Sequence, residues 1–175
     1  MRRRHLLLAL LGAATLPADA APPKSAGSAK PRTIDWLDLL LPKDRATGGL
    51  RQHPPASDYL TPDNGEIAPQ EQNFDVNAAL DGMLVRIPGF IVPLDSDGTG
   101  KLKTFLLVPY MGACIHLPPP PPNQIVQVTL ATPIAPTSIY AGYWVTGLLT
   151  VRRAVTRYGA VGWGMSGTRV DDYTY

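Results

Sequence analysis

The sequence predicts an all-β fold: a small five-stranded, OB-like barrel with a short N-terminal helix and a long wrapping loop, with a β-sandwich as the alternative. Two observations carry this. Five short runs rich in β-branched and aromatic residues alternate with turn residues after position 76, and no long amphipathic helix interrupts them. Pro (19) and Gly (16) make up a fifth of the 175 residues. That suits short strands and many turns, and stays below the roughly 25–30% typical of wholesale disorder. With 45% apolar residues the chain can build one core.

Residues 1–20 have the form of a cleavable signal peptide. Arg2 to His5 are basic, Leu6 to Leu16 are apolar, and Pro17-Ala18-Asp19-Ala20 offers a small-x-small cleavage site after Ala20. The apolar run is shorter than the roughly 20 residues of a membrane helix, and no later run approaches that length. Arg3-Arg4 allows a twin-arginine route beside the ordinary secretory one. No cysteine stands near the cleavage site, so a lipid anchor there is excluded. The expected product is exported, periplasmic or secreted.

Residues 21–33 lack apolar periodicity and are expected to form a flexible tether. Residues 34–75 are expected to hold a short helix and an extended loop. Thr33 caps the helix, Ile34, Trp36, Leu37, Leu40 and Leu41 repeat at helical spacing, and Pro42 stops it. Residues 76–175 form the barrel. Leu80-Asp81-Gly82 turns into a strand over Met83–Leu94, where a bulge or sharp bend at Pro88-Gly89 can move the alternation onto Phe90, Val92 and Leu94. A hairpin over Asp95–Gly100 leads to Leu102–Tyr110. Later strands are Gln124–Leu130, Tyr143–Val151 and a weaker one between Val161 and Tyr173.

Charge narrows the partners. Without residues 1–20 the chain holds 13 basic and 13 acidic residues. A neutral body argues against an electrostatic grip on nucleic acid or on an anionic membrane. Tyr110, Tyr143, Trp144 and Trp163 have the chemistry of a base-stacking surface, but alternating aromatics on strands are more often core and cross-strand pairs. Arg152, Arg153 and Arg157 form a local basic cluster, expected to be a solvated strand end.

The segment from Gly112 to Gln124 holds the chemistry. Cys114 is the one cysteine, so no internal disulfide can form. In extended backbone Cys114 and His116 point to the same side, with Cα atoms about 6.6 Å apart. A thiolate and an imidazole can then converge on one ion, zinc first and copper second. Two ligands do not complete a site; His53, Asp81, Asp95, Asp97 or a partner would have to supply more. A lone cysteine is also often a small buried apolar residue, and His116 beside Cys114 permits an activated thiol. No oxyanion hole or orienting third group accompanies that pair, so an enzyme is the less favoured class. The five prolines, Pro118, Pro119, Pro120, Pro121 and Pro122, should adopt a stiff polyproline II rod. The rod either fixes where Cys114 and His116 point or offers an exposed docking ridge to an aromatic groove. Asn123 and Gln124 can bond carbonyls that the prolines leave unpaired.

Val85-Arg86-Ile87-Pro88-Gly89-Phe90-Ile91-Val92-Pro93-Leu94, Phe105 to Tyr110, and Gly112-Ala113-Cys114-Ile115-His116 with its proline run and Asn123-Gln124 resemble an exported bacterial family, domain of unknown function 3299. Trp144-Val145-Thr146-Gly147 and Gly162-Trp163-Gly164-Met165 are similar to its later blocks. Members are often encoded beside ABC-type transporter components, with a suspected link to zinc handling. The resemblance implies a periplasmic accessory that binds or delivers a metal for such a transporter. The alternative is a metal-free interaction module of an envelope complex, docking through the proline-rich loop.

Overall fold

The computed structural model describes residues 30–46, 70–95, 98–113 and 119–173. Its six strands are β1 (Arg32–Thr33), β2 (Leu84–Pro93), β3 (Leu102–Val108), β4 (Val126–Ile134), β5 (Gly142–Thr156) and β6 (Gly159–Asp172). β2 pairs antiparallel with β3, β3 with β4, and β5 with β6, while β4 pairs parallel with β6. The ring closes through the antiparallel β2–β5 pair, from Leu84 opposite Leu148 to Phe90 opposite Gly142. Five strands closed in the order β2-β3-β4-β6-β5, with one parallel pair, make an OB-like barrel. The two-residue β1 adds in parallel to β2.

The N-terminal arm differs from the capped helix expected there. Thr33 lies in β1, a 3-10 turn covers Leu37–Leu39, and the helix α1 occupies Pro42–Ala46. Pro42 opens a helix instead of ending one, because its fixed φ suits the first helical position, where no N–H is needed. The arm is anchored by Trp36. Its indole donates to the Pro88 carbonyl at 2.7 Å, and its ring lies where a side chain on Gly89 would have to stand. The 3-10 turn over Ala78–Leu80 leads into Gly82, at φ 73°.

Pro88-Gly89 does not shift the core face. Val85, Ile87 and Ile91 stay on the barrel interior with Phe105, Leu107, Val126, Val128, Val145, Leu149 and Trp163. Phe90, Val92 and Leu94 instead face the other side of the strand. There they join a second apolar cluster with Leu106, Val108, Tyr110, Ala113, Ile125 and Val161. β2 and β3 are thus packed on both faces near one end of the barrel. The β5–β6 tip reaches the same end: Arg157 Nη2 donates to the Pro93 carbonyl at 2.7 Å, and Ala154 and Tyr158 pack on the second cluster. Among the described residues no helix is long and apolar enough to cross a membrane.

Candidate functional site

The connection from β3 to β4 is the segment singled out by its chemistry. Cys114, His116 and Pro118 lie outside the described residues, so the candidate ligand pair is placed here only by its two stems. On one side Gly112, at φ 81°, turns the chain into Ala113, which is fully buried in the second cluster. On the other, Pro119, Pro120, Pro121 and Pro122 are all buried, followed by Asn123 (1% exposed) and Gln124 (0%).

The run differs from an exposed ridge in that Pro119–Pro122 are buried. The physical reason is the missing amide proton. A buried irregular connection normally strands both N–H and C=O groups, whereas proline leaves only the carbonyl to satisfy. Gln70 Nε2 donates to the Pro120 carbonyl at 2.8 Å, and the amides of Gln124 and Ile125 donate to Pro121 and Pro122 at 2.8 and 3.2 Å. Gln70 also clamps β6, accepting from the Ala160 amide at 2.8 Å and donating to its carbonyl at 2.9 Å. The Trp163 indole donates to the Asn123 carbonyl at 3.2 Å, and Asn123 bonds the Asn73 and Asp75 carbonyls through its backbone and side-chain amides. Gly162 lets the run lie flat on β6; a Cβ there would stand 2.8 Å from the Pro122 carbonyl oxygen.

Of the candidate third ligands, Asp81 and Asp95 are described, and they flank opposite ends of β2. Asp81 accepts from the Val151 amide at 2.8 Å. Asp95 accepts from the amides of Thr104 and Lys103, at 2.9 and 3.3 Å, and the Thr104 bond holds its carboxyl below the usual aspartate range. His53 and Asp97 lie outside the described residues. Among the described residues no three His, Cys, Asp or Glu side chains gather as an ion site.

The aromatics fall into separate environments. Trp163 is fully buried and Tyr143 is 2% exposed, with its hydroxyl held by Thr137 and Ser138. Tyr110 belongs to the second cluster. Trp144 alone of the four stands outside, beneath the Arg86 guanidinium at 4.2 Å and 5.2 Å from the Tyr173 ring. The four do not make one stacking surface. Gln70 and Gly162 were not found by sequence reasoning. Gly162 is one of four glycines in β6, with nothing local to set it apart, and Gln70 sits among residues without periodicity.

A family model described as "Protein of unknown function (DUF3299)" matches residues 36–172. The crystal structure of a DUF3299 family protein from Pseudomonas aeruginosa PAO1 is similar to this chain at 35% sequence identity and a TM-score of 0.64. The match covers 84% of this chain and 99% of that one. Comparison with curated proteins finds no match.

Proposed function

The chain belongs to the DUF3299 family, and we propose that it is an exported accessory protein that binds a transition metal, zinc before copper, through Cys114 and His116 and delivers it to an ABC-type transporter of the envelope. The observation that supports this reading is the burial of both stems of the Cys114–His116 segment. Ala113 is locked in the second cluster, and Pro119–Pro122 are strapped to β6 by Gln70 and Gly162. Such stems limit the conformational entropy that two ligands lose when they close on an ion. Two ligands from one chain also leave zinc short of the four it takes in closed structural sites. Incomplete coordination suits a carrier, because the receiving protein can add its own ligands before the first two let go.

Metal analysis of the processed chain tests the proposal. The expected content is about one zinc or copper per chain or per dimer, lost in Cys114→Ser with His116→Ala while the barrel stays folded. Equal metal content in the wild type and the double variant rejects it.

A further inference from the structure

The tip of the β5–β6 hairpin carries a combination that the metal reading does not use. Val155 is 85% exposed, the most exposed of the large apolar side chains among the described residues. Arg152, Arg153 and Arg157 surround it in sequence, all exposed. Two of these guanidiniums rest on aromatic rings: Arg153 lies 5.0 Å from the Phe74 centroid, and Arg157 lies 4.8 Å from Tyr158. Stacking of this kind holds a guanidinium in place with edge donors turned to a phosphate. Arg157 is fixed further by its Nη2 bond to the Pro93 carbonyl at 2.7 Å, which leaves its remaining N–H groups for that role. The wider surroundings share the sign. From Gly98 to Arg157 the sequence contains no Asp or Glu, but it contains Lys101, Lys103, Arg152, Arg153 and Arg157. Asp75, which follows Phe74 in sequence, is paired with Lys43 at 3.1 Å.

We propose that this hairpin tip docks on the surface of an anionic phospholipid bilayer, with Val155 set among the headgroups and Arg153 and Arg157 on lipid phosphates. The zero net charge of the processed chain conceals this local excess, which is what a surface feels within a Debye length of roughly 8 Å. A protein partner is the poorer fit. A stable protein interface takes about 800 Å² from each side with an apolar centre, whereas here one valine stands among arginines. A headgroup layer needs only an aliphatic wedge and cations at phosphate depth. The inference is independent of metal binding.

Co-sedimentation with phosphatidylcholine vesicles, with and without phosphatidylglycerol, tests it. The processed chain beginning at Ala21 is used, so that Leu6–Leu16 cannot partition by themselves. Binding is expected only with phosphatidylglycerol and should weaken as salt rises. Neutralising both stacked arginines (Arg153→Gln with Arg157→Gln) should weaken it roughly thirty-fold, about a factor of five for each charge. Val155→Asp should weaken it and Val155→Trp strengthen it, with the circular dichroism spectrum unchanged in each. Absence of binding to phosphatidylglycerol vesicles overturns the proposal. So does binding that all these variants retain equally, or capture of an acidic protein at the tip without any vesicle binding.

Discussion

Asp95 closes the β2–β3 hairpin with one carboxylate oxygen. Oδ1 accepts from Thr104 and Lys103, while the Thr104 carbonyl accepts the amides of Leu94 and Asp95 at 3.2 and 3.3 Å. The bond from the Thr104 amide favours the ionised form and lowers the pKa of this carboxyl. The linkage then has one sign. A group whose pKa is lower folded than unfolded stabilises the fold above the unfolded value, and that support disappears as pH falls through the folded value. Titrated by NMR, the Asp95 carboxyl carbon should have its midpoint below the ordinary aspartate range, and the Lys103 and Thr104 amides should lose exchange protection over the same interval. A midpoint at or above the ordinary range would remove the carboxylate from the hairpin's support. This contact was half legible: Asp95 was placed in the hairpin loop, but nothing local says which amides a side chain will reach eight and nine residues on.

At the scale of elements, the proline run and β6 depend on each other. Pro119–Pro122 are buried because their remaining carbonyls find donors and because β6 offers a glycine beneath them. Gly162→Ala should therefore cost roughly 1–3 kcal/mol, the usual range for overpacking. The neighbour is backbone rather than a side chain that could swing away. Thermal unfolding measures the loss, and exchange protection of the Gln124 and Ile125 amides should fall with it. An unchanged melting temperature with intact protection would show that the run does not bear on β6. The same packing explains what sequence reasoning could and could not see. Val126-x-Val128-x-Leu130 and Tyr143-x-Val145 alternate because each such strand has one apolar face. β2 and β3 are packed on both faces, so Phe90-Ile91-Val92 and Phe105-Leu106-Leu107-Val108 run as continuous apolar stretches with no period to show which face is inside. A bulge or bend at Pro88-Gly89 is one resolution of that ambiguity; unbroken alternation with both faces packed is the one the structure shows. The Cys114–His116 pair was legible as ligand chemistry, but the burial of its stems was not, since a proline run has the same local preference in solvent as in a core.

For the whole molecule, the hydrogen-bonded ring and its two apolar clusters decide how metal and fold relate. Small domains that need zinc to fold have too little core of their own, so the binding free energy of the metal is their folding free energy. Here the five strands close on one another from Leu84 opposite Leu148 round to Val126 opposite Trp163. The barrel interior is filled by Phe105, Ile87, Leu149 and Trp163, each fully buried. None of these is contributed by residues 114–118. A carrier must also survive the loss of its cargo. Removing metal with a chelator, or replacing Cys114 by Ser and His116 by Ala, should accordingly leave the thermal unfolding midpoint within about 2 °C of the metal-loaded wild type. At this chain length that corresponds to a stability change of under about 1 kcal/mol. Calorimetry of the three samples side by side makes the measurement. Collapse of the transition without metal would make the ion part of the core, and would move the Cys114–His116 segment from delivery to structural support.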